Sequence, residues 1–304
     1  MRASILSVAL LLPAVANARG RVIDVTAPNP EGMKFARQAL PAVGATTTRA
    51  ESRTIYLNRD GVVLRPGDNN STLDTSSVIS SPTEITPWDI DDETWQETVD
   101  CMKGMYARFD VTVTDEDPGN VPHIEAVFGG HPLDVELPDN VLGVSPFTTD
   151  CGIIERSIVF TFTDVLDDNP QVACEIMAQE VAHSFGLDHE LLPEDPMTYL
   201  TYFGNRSFQD KMANCGEYGE RKCGIEGSVC RDRQNSVQLL EERLGLNPNM
   251  PEPNDTGNEV TVGDGGIIGG CSTGGGGTGI SFVLLIGHVV LRRRSRNRGH
   301  RSVL

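Results

Sequence analysis

The chain has 304 residues, 38% of them hydrophobic, with 43 acidic residues against 25 basic and a formal net charge of −18. It is long enough to bury a substantial core, and it is too acidic for a nucleic-acid partner, which needs a basic footprint. The first 18 residues and those beyond Leu291 hold seven basic and no acidic residues, so the stretch between them carries 18 basic against 43 acidic. Such acidity favours solubility and cation binding without dictating a fold.

Taken in chain order, Met1 and Arg2 form a basic start, Ile5 to Val15 is an apolar run, and Ala16-Asn17-Ala18 supplies small residues for a signal peptidase. Residues 1–18 therefore read as a signal peptide cleaved before Arg19, which makes the chain an exported one. Residues 19–53 are rich in Pro, Ala and Thr with little apolar periodicity. They are expected to form an extended leader, with a propeptide as one reading. They contain no Cys, which excludes latency through a leader thiolate on a metal.

The folded domain is expected over 54–246. Thr54 to Leu57 alternates like a strand, and Asp60-Gly61 follows as a turn. Trp95, Val99, Met102 and Tyr106 recur at helical spacing after a candidate N-cap at Asp91 or Asp92. Phe109 to Thr114, His123 to Phe128, Val141 to Val144 and Ser157 to Thr163 read as strands, a second helix runs from about Pro170 to Phe185, and a last one from Asn235 to Leu244. The order of strand, helix, four strands and helix predicts an α/β fold, with a mostly parallel twisted sheet under two covering helices and a smaller Cys-containing C-terminal subdomain.

Cys101, Cys151, Cys174, Cys215, Cys223 and Cys230 are an even set suited to three disulfides, with fifteen connectivities open. The gaps between Cys215, Cys223 and Cys230 lack the short knuckle of a Cys-rich zinc site. His123 and His131 flank a strand and read as turn or surface residues. The acidic clusters at Asp115-Glu116-Asp117 and Asp164 to Asp168 lack the ligand ladder of a calcium loop, so Ca²⁺ has no motif in its support. No G-x-S-x-G elbow and no phosphate loop occur.

From Gln179 to His189 the chain reads Q-E-x-x-H-x-x-G-x-x-H. On a helix, Gln179 and His183 lie one turn apart on one face with Glu180 beside them. Gly186 lets the chain leave the helix at positive φ and return His189 to the same point. This run resembles the metzincin zinc peptidases, whose pattern is H-E-x-x-H-x-x-G-x-x-H followed by a Met-turn. Asp195-Pro196-Met197-Thr198-Tyr199 looks like that turn, and the upstream element order is similar over Thr54 to about Leu200. The resemblance implies Zn²⁺ held by Gln179, His183 and His189, Glu180 as general base, Met197 beneath the site and Tyr199 touching the metal or the tetrahedral intermediate. The substrate would be a protein or peptide. The departure is Gln179, where the family has histidine. A carboxamide is a poorer zinc donor, so weaker metal binding is expected, and a catalytically silent binding or adhesion module is the alternative.

Residues 247–270 have the Pro, Gly, Asn and Asp composition of a linker. Beyond them Cys271 in a Gly/Ser setting precedes the thirteen-residue apolar run Gly279 to Leu291 and then Arg292, Arg293, Arg294, Arg296 and Arg298. This tail, 271–304, resembles the myxobacterial C-terminal sorting domain. The resemblance implies processing near Cys271 by a membrane sorting protease, membrane attachment through the tail, and a product at the cell surface or released.

Overall fold

The computed structural model describes residues 22–25, 34–44 and 48–250. The expected signal peptide and sorting tail lie outside these residues, as does the expected linker from residue 251 onward. The strands are β1 (Val22–Val25), β2 (Lys34–Leu40), β3 (Thr54–Asn58), β4 (Val62–Pro66), β5 (Thr75–Ser76) and β6 (Thr83–Ile85). After helix α1 (Asp92–Tyr106) come β7 (Thr112–Thr114), β8 (Ile124–Phe128), β9 (Val141–Thr148) and β10 (Ile158–Thr161). Helix α2 (Pro170–Ser184), the short pair β11 (Ala213–Asn214) and β12 (Arg233–Gln234), and helix α3 (Ser236–Leu244) complete the order.

The main sheet runs β1-β2-β9-β10-β8-β3-β7. Four of its six pairings are parallel, and the antiparallel ones are β1 with β2 and β9 with β10. The expected mixed α/β architecture with a mostly parallel sheet is therefore present. α1 begins where expected, with the Asp91 carboxylate accepting the Thr94 amide N–H as N-cap. Its apolar stripe Trp95, Val99, Met102 and Tyr106 packs with Ile55, Leu57, Ile124, Ala126 and Phe128 of the sheet. The helices cover this face only. The other face is covered by β4 to β6 and a 3₁₀ turn at Pro132–Val135, around Leu64, Ile85, Val127, Val135 and Phe160.

Three sequence expectations shift. The segment Phe109 to Thr114 is strand only from Thr112, because Phe109 turns back onto Tyr106 and pairs with Leu246. β9 runs on to Thr148, buried throughout. The 19–53 segment, expected as an extended leader, contributes β1 and β2 to one side of the sheet, with β2 parallel to β9 from Lys34↔Val141 to Leu40↔Thr148.

All six domain cysteines are paired, as Cys101–Cys174, Cys151–Cys230 and Cys215–Cys223. The first joins α1 to α2. The other two fasten the segment beyond the candidate site, the second to the loop after β9 and the third within itself. A thiolate metal site among Cys215, Cys223 and Cys230 is thereby ruled out, since a disulfide sulfur has no thiolate to offer. The set fits an oxidising compartment. Among the described residues no helix is long and apolar enough to cross a membrane.

Candidate metal centre

Every residue of α2 from Ala173 to Ser184 is buried. A helix buried all round should be apolar all round, and Ala173, Ile176, Met177, Ala178, Val181 and Ala182 obey that rule. Glu175, Gln179, Glu180, His183 and Ser184 break it; Glu175 is paired with Arg206 and Ser184 with Ser157, whereas Gln179, Glu180 and His183, at exposures of 2%, 0% and 1%, cluster over barely more than one helical turn. Buried polar groups carry a cost unless paired, so these three positions mark a site.

α2 starts with Asn169 capping the Val172 amide and Pro170 in the first turn. It stops at Gly186, whose φ of +83° and whose close approach to the Cys151 carbonyl, 2.2 Å from where a Cβ would stand, admit no other residue without strain. The reversal brings His189 back against His183. Their Nε2 atoms lie 2.9 Å apart, and the Tyr199 hydroxyl is 2.8 Å from His189 Nε2. Met197 is fully buried in the same core as Ala178, Val181 and Ala182. The Asp195 carboxylate shapes this turn by accepting the Met197 and Gln209 amides.

The outward nitrogens fix the ring states. His183 Nδ1 is 2.7 Å from the Leu187 carbonyl oxygen, which only an N–H can satisfy. His189 Nδ1 is 2.9 Å from Glu217 Oε1. With Nδ1 protonated on both rings, both Nε2 atoms carry lone pairs; the Tyr199 hydroxyl can donate to that of His189, and a cation between the rings would satisfy both. Two nitrogens bound to one tetrahedral zinc at about 2.0–2.1 Å would stand about 3.3 Å apart, so a small opening of the rings admits the ion. Gln179 Nε2 and both Glu180 carboxylate oxygens have no hydrogen-bond partner. Two imidazole nitrogens this close are a donor pair of the kind a zinc ion accepts; Gln179 lies one helical turn before His183, and the atom of its amide that lacks a partner is the nitrogen, which cannot ligate.

Burial sets the charges. It raises the Glu180 carboxyl well above its ordinary range, with the Ser145 side chain and the Arg37 charge acting against that rise. Glu180 packs directly on β9, where a Cβ at Gly143 would stand 2.6 Å from its Oε1. Burial and the neighbouring His189 and Arg37 hold His183 well below the usual histidine value, while burial and Arg37 bring His189 down to about 4.

Around His189 stands a ring of charge that sequence reasoning missed. Asp188, fully buried, accepts from Arg37 at 2.5 Å, from Arg221 at 2.6 and 2.9 Å, from the Gly224 amide and from the His189 amide. Glu217 accepts from Arg221 at 2.5 Å and lies 3.6 Å from Arg37. Burial alone would raise both carboxyls, but Arg37 and Arg221 at Asp188, and His189 and Arg221 at Glu217, keep both well below the carboxylate range. Asp188, His189 and Glu217 are close enough together to suggest a metal cluster, yet Nδ1 of His189 and both acids are already committed to each other and to the arginines.

The remaining sequence candidates lie elsewhere. His123 is buried against Tyr56, with Nδ1 on the Val121 carbonyl, and His131 caps the 3₁₀ turn. Asp115 and Asp168 accept from the Trp95 and Trp88 indoles. Cys271 is outside the described residues. No protein-family model matches the chain, and no curated protein matches it.

Proposed function

We propose that the chain is an exported zinc-dependent metallopeptidase of the metzincin type that hydrolyses protein or peptide bonds at or outside the cell surface. The observation that carries this is the pair of Nε2 atoms on His183 and His189, 2.9 Å apart, at the end of a helix that also buries Gln179 and the Glu180 carboxylate. His183, His189 and, more weakly, the Gln179 oxygen would hold the metal, and zinc when bound acidifies water and polarises a carbonyl oxygen. Glu180 takes the proton from the attacking water and passes it to the leaving amine. Its raised pKa has the direction a general base working near neutrality requires. The Tyr199 hydroxyl, 2.8 Å from His189 Nε2, would hydrogen-bond the carbonyl oxygen as negative charge develops there. Glu217 holds the His189 tautomer that leaves Nε2 free for the metal. Residues 19–53 act here as a propeptide, since β2 takes the free edge of β9, the strand that backs Glu180.

Gln179 favours a second function, a catalytically silent binding or adhesion module that keeps the fold. Metal content of the purified full chain, with peptide hydrolysis by it and by Glu180→Gln, separates the two. The peptidase predicts stoichiometric zinc in both proteins and a rate lower by roughly 10²- to 10⁴-fold in the variant. Equal turnover by both proteins rules out Glu180 as the base.

A further inference from the structure

Arg37 is the most deeply buried cation of the described residues, at 2% exposure. Its guanidinium lies in a slot of three walls: Asp188 at 2.5 Å, Glu217 at 3.6 Å and the Phe147 ring with its centroid 5.0 Å away. Carboxylates on one side and an aromatic face on the other are what a guanidinium, planar and weakly hydrated, prefers over an ammonium.

The slot stands without its occupant. Asp188 keeps Arg221, the Gly224 amide and the His189 amide, and Glu217 keeps Arg221 and His189. Two carboxylates against one remaining arginine leave a net negative charge, which Arg37 neutralises. The strand that delivers Arg37 is separable in chain terms. It is followed by exposed residues Pro41 to Gly44 and lies one strand in from the sheet edge, between β1 and β9, paired along β9 by backbone bonds any extended peptide can make.

We propose that this slot is a guanidinium-binding subsite of the peptide cleft, filled here by the chain's own Arg37, and that the peptides the site takes are extended segments carrying an arginine. The peptidase reading is needed only for cleavage once a peptide is bound; recognition of arginine stands on the slot alone. β2 is then the chain's own example of a ligand, and its tether makes it a competitor that an outside peptide meets first.

The test uses the full chain with Arg37→Ala and, in case alanine disturbs folding, Arg37→Gln, whose side chain keeps the strand packed without the charge. The probes are N-acetyl-arginine amide and its neutral isostere N-acetyl-citrulline amide, titrated calorimetrically with circular dichroism to establish folding. The variants should bind the arginine probe at least about tenfold more tightly than the citrulline probe, since the slot discriminates by charge, and the wild type should bind neither. Folded variants that bind neither probe, or both equally, overturn the subsite and make Arg37 an internal strut. A peptide-library digestion by the same variants should then show cleavage concentrated near arginine. Selective arginine binding with no cleavage upholds the subsite and overturns the peptidase, whereas cleavage without selective binding overturns the subsite.

Discussion

Replacing Gln179 by histidine tests whether this position is a degraded metal ligand. The side chain is 2% exposed, its amide nitrogen has no partner, and it lies one helical turn before His183. A buried amide with an unmade hydrogen bond costs about 1–3 kcal/mol, so the native residue is already an uncomfortable one and substitution sacrifices no hydrogen bond at that atom. An imidazole would complete a three-histidine set. Changes to groups that merely orient a ligand typically shift metal affinity by roughly 10- to 100-fold, so exchanging the ligand itself should gain at least about 100-fold in zinc affinity, or about 2.8 kcal/mol. Peptide hydrolysis should appear or rise with it, while the metal-free melting temperature changes little. Competition with a graded series of zinc chelators gives the affinities, and a peptide-library digestion gives the rates. Equal affinity and equal turnover in wild type and variant would show Gln179 to be a competent ligand as it stands, and would refute the idea of a weakened centre.

Two further substitutions probe the scaffold. Gly143→Ala sets a methyl 2.6 Å from Glu180 Oε1 and 3.0 Å from its Cγ and Cδ; the expected cost is about 1–3 kcal/mol of stability. A displacement of the base by up to about an ångström should lower turnover by about 10²-fold, with zinc affinity by chelator competition unchanged. Full activity in this variant would mean that Glu180 does not work from its position against β9. Glu125, on the far face of the sheet, has its carboxyl pushed up to about 7, chiefly by burial and further by Asp74 and Asp117, with the Asn58 hydrogen bond opposing. A carboxyl raised in the fold is stabilising only while protonated, so its contribution is complete below about pH 4.5 and lost as the pH rises to about 7, leaving a penalty on the order of 3 kcal/mol above that. Glu125→Gln removes the penalty. Its melting temperature should pull ahead of wild type between about pH 4.5 and 7 and hold a constant lead beyond, and parallel profiles across that range would refute the assignment.

The range of each interaction decides whether the sequence reveals it. The stripe Trp95, Val99, Met102, Tyr106 and the run Gln179 to His189 are local patterns, and helices form at both, with Gly186 at the positive φ its place in the pattern requires. β5 and β6 span two and three residues, too few for alternation to register. β2 carries Ala36, Arg37 and Gln38 buried in succession, so its inward residues show no apolar period. Arg37 meets Asp188 across 151 residues of sequence, and Glu217 meets His189 across 28. No spacing rule reaches that far. Asp188 could have been noticed, since a carboxylate directly beside His189 in a tight, buried return has few destinations other than a buried cation.

The same long-range connections bear on the proposed metal site, because they hold the domain together independently of residue 179. In the chain-entropy model, links that close 73 and 79 residues of sequence each restrict the unfolded chain by about 4 kcal/mol, and the eight-residue link adds about 2.5. The Cys101–Cys174 bond anchors the second turn of α2, Cys151–Cys230 holds the loop beneath Gly186, and Cys215–Cys223 closes the loop that carries Glu217. The backbone positions of Gln179, His183 and His189 are therefore fixed by covalent and apolar contacts that need no ion, unlike those of a zinc finger. On the proposed function, the identity of residue 179 should then matter to metal binding and turnover far more than to folding. A reductant should thus damage the centre in a way that a chelator does not. Stripping metal from the wild type should leave its circular dichroism and melting temperature nearly unchanged, whereas reduction of the disulfides should lower the melting temperature steeply and, by freeing Glu217, weaken zinc binding. If the chelator alone unfolds the chain, the metal is structural, and the independence of residue 179 from folding is refuted.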